Sequence, residues 1–226
     1  MLKRICVLAI MLIGLPALSH AEKASELPQP IVSQEMESQA EELVVALLAK
    51  DQTKSKHYYS LISSSLNKLH QAEAGSDFDE RRAREVIMTS SWLRLISIDL
   101  DHAKWVGAAI AANQMRGEII RFTNFPKIAL RDVAWMNYLG SDLMLLCMEN
   151  PKENLELIGL RKDALSETWN HVEKEVIANF SNKPLVVRGD QLIRQINDET
   201  DANRLIQLCK DELNLVTDIR KVLAHS

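Results

Sequence analysis

Three polar residues sit where the flanking sequence is apolar: Asn113 after Ala111-Ala112, and Asn137 and Asp142 within the stretch from Val133 to Met148. A carboxylate taken out of water needs a charged or hydrogen-bonding partner, or else it takes up a proton. If Asp142 points inward, then Arg116, Arg121 or Arg131 can reach it in a structural ion pair. Alternatively Asn113, Trp135, Asn137 and Asp142 line a polar spot between helices that orients a small ligand. Both readings stay open on sequence alone.

Other chemistry is poorly represented. Metal centres in helical bundles draw on carboxylates and histidines from several helices, often as Glu-x-x-His, and that motif is absent. The nearest approaches are Asp99-Leu100-Asp101-His102 and Glu167 with His171, and the second reads as an ordinary i,i+4 ion pair on a charged helix. No metal ligand set is assigned. Ser63-Ser64-Ser65 and Ser90-Ser91 fall on helical stretches, with no Gly-x-Ser-x-Gly around any serine. There is no Cys-x-x-Cys pair, and the glycines are isolated, so neither a redox motif nor a phosphate loop is present. No cofactor is expected, and a metal-dependent enzyme using His102, Glu167 and His171 is the weakest reading.

The compartment is read from the first residues. Lys3 and Arg4 precede an apolar stretch from Ile5 to Leu18 and then Ser19-His20-Ala21, the order of a secretory signal peptide. About fourteen apolar residues fall short of the roughly twenty needed to cross a bilayer. Cleavage after Ala21 is therefore expected, with export to the periplasm. Loss of Lys3 and Arg4 takes the net charge from −4 to −6. An acidic chain is poorly suited to neutralising phosphates, which excludes sequence-independent nucleic-acid binding. The densest basic cluster, Arg81, Arg82 and Arg84, follows Asp77, Asp79 and Glu80 and so reads as a self-paired helix start. Later apolar runs, such as Leu143 to Met148, are far too short to form an integral membrane segment.

Export leaves Cys147 and Cys209 as the cysteines that an oxidising space could join. A bridge would close a loop of about sixty residues and stabilise the fold by about 4 kcal/mol. The competing reading is core filling, since each thiol sits in an apolar helical context.

The elements that would position these residues are helical throughout. Gly and Pro are scarce, while Ala, Leu, Glu, Lys and Gln are abundant. After the leader (1–21), Pro28 and Pro30 mark an extended lead (22–32), and Ser33 can cap a helix carrying Met36, Ala40, Leu43, Val44 and Leu47 on one face. Further helices are expected from about Ser55, from Ser76, and around Ala103 to Ile119, whose small residues allow close packing. Pro126 and Pro151 read as first-turn prolines of two more, the first apolar on nearly every side and hence central. Leu185-Val186-Val187 reads as briefly extended, followed by a helix from Asp190 with a kink or cap at Thr200 or Asp201. The expected fold is an all-α, up-and-down bundle of six or seven helices. Residues 33–181 form its core, and residues 182–226 form a C-terminal helical segment packed on it.

The function this supports is that of an exported accessory, chaperone-like or assembly factor. It would contact an envelope or secreted protein partner through the first or last helix. A small-ligand sensor or carrier built around Asn113, Trp135, Asn137 and Asp142 is the alternative from a different class.

Overall fold

The computed structural model describes residues 29–73, 80–180 and 183–224. The expected signal peptide, its cleavage point after Ala21 and most of the lead lie outside them. The described residues form eight helices and no strand: α1 (Gln29–Leu48), α2 (Gln52–Glu73), α3 (Glu80–Asp101), α4 (Trp105–Phe122), α5 (Ile128–Glu149), α6 (Leu155–Phe180), α7 (Lys183–Asp198) and α8 (Ala202–Ala224). The described residues are all-α, with eight helices where the apolar pattern predicts six or seven.

The extra helix comes from the C-terminal stretch. Leu185-Val186-Val187 is helical, because Pro184 occupies the first turn of α7, where a missing N–H costs nothing. The polar run after Ile196 ends that helix, and a new one begins behind Asp201, whose carboxylate accepts from the Arg204 N–H at 2.8 Å. Other boundaries shift for similar local reasons. α1 starts at Gln29, ahead of Ser33, with Pro30 in its first turn. It ends at a left-handed Lys50 (φ 55°), and Asp51 caps α2 through the Lys54 N–H at 3.0 Å. Ala103, also left-handed (φ 53°), separates α3 from α4. Pro126 and Pro151 precede α5 and α6 rather than opening them, since Lys127 is the N-cap of α5 and residues 151–154 form a turn.

Every helix touches the next in sequence, and two further contacts close rings: α1 with α4, and α5 with α8. Each ring has its own core. Met36, Leu43, Ile62, Val86, Ile96 and Met115 centre the first. Val133, Leu143, Leu165, Ile193, Val216 and Ile219 centre the second. The rings meet along α4 and α5. α5 serves both, since Leu145 packs in the first core while its other buried apolar side chains pack in the second. That double duty explains why the helix is apolar almost all round. In α4, Ala108, Ala109, Ala111 and Ala112 are buried, and such small side chains allow the close packing of α4 on α1 and α3.

One very close approach lies between α6 and α7. A Cβ on Gly189 of α7 would stand 2.1 Å from the ring of Trp169 on α6, whose Nε1–H donates to Asp190 at 2.9 Å. A methyl group there has nowhere to go. Gly189→Ala is expected to cost about 1–3 kcal/mol by overpacking, seen as a lower denaturant midpoint with an unchanged slope; equal midpoints would show that the indole moves aside freely.

The four tryptophans do not share a groove. Trp92 and Trp105 pack against the first core, whereas Trp135 and Trp169 pack in the second. Cys147 on α5 and Cys209 on α8 are buried free thiols, so of the two readings the bridge is not formed. Both lie within the second core, where burial pushes the thiols up and they act as small apolar fillers. Among the described residues no helix is long and apolar enough to cross a membrane.

Candidate functional site

The apolar cores are separated by a seam of buried polar groups, built where α1, α4, α5 and α8 converge. Its centre is Arg116 of α4, whose side chain is 1% exposed. The guanidinium donates through Nε and Nη2 to Glu37 Oε1 at 2.9 and 2.6 Å, and through Nη2 to Glu41 Oε2 at 3.0 Å. Nη1 donates to Asn137 Oδ1 of α5. Asn137 returns the contact to α1, its Nδ2 donating to Glu41 Oε1 at 3.0 Å. Arg220 of α8 closes the cluster by donating to Glu41 at 3.0 and 2.7 Å. Two carboxylates thus face two guanidinium groups, the balance a charged cluster in a low-dielectric interior requires.

Glu41 records the outcome. Burial by itself would raise its carboxyl, but Arg116, Arg220 and the hydrogen bonds from Arg220 and Asn137 outweigh that and hold it below the ordinary range.

A second cluster lies along the same α4–α5 boundary. Asp142 is 2% exposed and accepts from Arg161 Nε of α6 at 2.5 Å, from Gln114 Nε2 at 2.8 Å and from Asn113 Nδ2 at 3.5 Å. Tyr138 donates to Gln114 Oε1 at 3.2 Å. Burial, and next the charge of Asp142, push its phenol up to about 12. The partner of Asp142 is therefore Arg161, none of the three arginines named from sequence. Arg116 is taken by α1, Arg121 pairs with Glu118 at 2.6 Å, and Arg131 pairs with Asp132 at 3.4 Å.

Glu212 of α8 is the exception to this pairing. It is fully buried, and both carboxylate oxygens lack a hydrogen-bond partner. Its carboxyl lies against α5 so closely that a Cβ on Gly140 would stand 1.8 Å from Oε2. Burial, against the lesser pull of Arg116 and Arg220, raises its proton affinity well above the carboxylate norm, which favours the neutral acid. Asn113 Oδ1 is likewise buried without a partner.

Of the four residues read as a ligand spot, Asn113 and Asp142 meet, Asn137 belongs to the Arg116 cluster, and Trp135 stands apart. Trp135 packs edge-on to Tyr138 with ring centroids 5.3 Å apart, lies under Arg121 at 5.9 Å, and borders a cavity of about 360 Å³ with Arg121, Arg131 and Asp132. Glu167 and His171 are exposed, as is His102, whose Nδ1 lies 2.7 Å from the Ile98 carbonyl. Among the described residues no group of three or more His, Cys, Asp or Glu could hold a metal ion.

Sequence reasoning missed Glu37, Glu41, Arg161, Glu212 and Arg220. For Glu212 the signal was present: Leu205, Leu208, Cys209, Glu212, Leu215, Val216 and Ile219 form one stripe at three- and four-residue spacing, with the acid in a core position. Glu37 and Glu41 flank Met36 and Ala40 in the same way.

The seam binds its own charges and raises the proton affinity of Glu212. Its chemistry is that of a junction, in which polar groups on one ring require their counterparts on the other. Comparison with known protein families, with curated proteins and with solved structures finds no match.

Proposed function

We propose that the protein is an exported helical factor. In this reading it is cut after Ala21, works in the periplasm and acts by contact with an envelope or secreted protein partner. Its helices run alternately up and down, as their short connections favour.

The observation that carries the reading is the outer face of α3. Ile87, Met88, Leu95 and Ile98 are 59%, 38%, 44% and 44% exposed. At about 100° per residue they fall within a quarter to a third of the helix circumference, an arc they share with exposed Ser91 and with exposed Arg84 one turn ahead of Ile87. An apolar stripe of that width normally faces a core or another helix. The occupant proposed is an amphipathic helix of the partner protein, laid along α3 with carboxylates toward Arg84. α1 and α8, the elements favoured by sequence, are tied to each other and to α4 through Glu41, Arg116 and Arg220, and so are poorly placed to move.

A photo-crosslinking residue at Leu95 in cells should yield one defined adduct in the envelope fraction, and the same residue at exposed Glu167 on α6 should not. Leu95→Asp with Ile98→Asp should abolish capture from a probe at Met88, with stability changed by no more than about 0.5 kcal/mol. N-terminal sequencing of the mature protein should begin at Glu22. Equal adducts at Leu95 and Glu167, or co-sedimentation with anionic vesicles in place of an adduct, would overturn the contact reading. An uncut Met1 terminus would overturn export.

A further inference from the structure

Helices that share a seam fill it with apolar side chains at three- and four-residue spacing, as α1 does with Met36, Ala40, Leu43 and Leu47. The seam between α2 and α3 breaks that rule. Along α2 it carries Tyr59, Ser63, Asn67 and His70, each three or four residues from the last. α3 answers with Ser90, Arg94 and Ser97 at the same spacing. Leu66 and Leu93 supply a buried apolar floor. Serines where leucines would close the gap leave an open groove of about 300 Å³. Polar, under-filled positions on a seam weaken packing, and departures of this kind are expected where a surface serves a purpose other than folding.

The groove has a definite chemical character. No carboxylate lines it, in a chain with 31 acidic and 27 basic residues. The Arg94 guanidinium makes no ion pair or hydrogen bond with any described residue, and neither do the side chains of Tyr59, Ser63, Asn67 and Ser97. His70 Nε2 lies 3.2 Å from Ser90 Oγ, and that hydroxyl already donates to the Val86 carbonyl at 3.0 Å. The imidazole must therefore be the donor, which ties the last turn of α2 to α3. What remains is an uncommitted planar cation, hydroxyls and an amide above a greasy floor.

We propose that this groove binds a small organic molecule carrying a phosphate or carboxylate. Arg94 meets the oxyanion, Ser63, Asn67 and Ser97 complete its hydrogen bonds, and the apolar part rests on Leu66 and Leu93. A guanidinium fork matches the geometry of either oxyanion. The volume stands at the small end of the range for ligand sites. The site depends on α2 and α3 alone and holds for any compartment or protein partner.

Calorimetric titration of the full chain with phenyl phosphate, benzoate and benzyl alcohol tests the proposal. At least one of the two oxyanions should bind, the tighter one identifying the headgroup, and benzyl alcohol should not. Arg94→Gln, at an exposed position that folding does not need, should weaken binding by at least about tenfold, the loss of a charge-assisted contact. Ser97→Leu should fill the groove, abolish binding and raise Tm. The absence of heat for both oxyanions up to about 10 mM, beyond the millimolar weak end of the affinity scale, would overturn the proposal. So would equal binding of benzyl alcohol, or an affinity unchanged in Arg94→Gln.

Discussion

Arg116→Ala is expected to destabilise the protein by about 3–5 kcal/mol, the cost of leaving buried charges without their counterion. Against a total stability of about 5–15 kcal/mol, that is enough to unfold a substantial fraction of molecules in mild denaturant. The loss is large because one guanidinium serves three partners, Glu37, Glu41 and Asn137, on two other helices. The pH dependence should change as well. The folded carboxyl of Glu41 lies below its unfolded value, so its contribution is complete above about pH 4.3 and is lost as pH falls through the folded value. Without Arg116 that depression shrinks, and acid unfolding should begin at a higher pH. Urea melts of Arg116→Ala and of the triple variant Arg116→Met, Glu37→Met, Glu41→Leu would separate the charge effect from packing. The triple variant should be the more stable of the two, because no carboxylate is stranded and Arg220, with 33% of its side chain exposed, can turn to water. If the single variant were the more stable, the cluster would not be held by its charge balance.

Glu212→Met is expected to stabilise the protein, and by more as the pH rises. The folded carboxyl of Glu212 lies well above its unfolded value of about 4.3. Between those two values the folded state holds a proton that the unfolded state has released, so raising the pH favours unfolding by up to about 1.4 kcal/mol per pH unit from this group. Methionine has no proton to lose and fills nearly the same volume against Gly140. The stability difference between variant and wild type should therefore widen steadily from about pH 5 upward, within the window set by the raised carboxyl. Denaturant melts at a series of pH values would measure it. Parallel curves would mean that Glu212 is ionised in the fold and that Arg116 or Arg220 turns to meet it.

The sequence announces the helices far better than it announces their grouping. Composition and three-and-four spacing give the all-α class. The small face of α4, the all-round apolar α5 and the cap at Asp201 follow from local rules that the structure obeys. The division into two rings is a different matter, because an apolar stripe states that a helix is buried without stating against which neighbour. Leu145 and Cys147 lie two residues apart on α5 and serve different cores. The polar seam was legible only by halves. Asn137 and Asp142 stand out against apolar flanks, but Arg161, which pairs with Asp142, and Arg220, which pairs with Glu41, lie on charged or amphipathic faces where nothing local marks them as buried. Contacts separated by 75 to 179 residues have no sequence signature of their own. Glu212 could have been found, because it occupies a core position of a regular stripe.

The span between Glu41 and Arg220 bears on how the chain is made. Synthesis proceeds from the amino end, so Phe122, the last residue of the first ring, is in place about a hundred residues before Arg220 emerges. Glu37 and Glu41 can meet Arg116 early, but Glu41 lacks its second cation until α8 has been added, 179 residues downstream. A ribosome that stops short of α8 therefore releases a first half with an under-neutralised carboxylate at its edge. In this way α1 registers whether α8 has been translated.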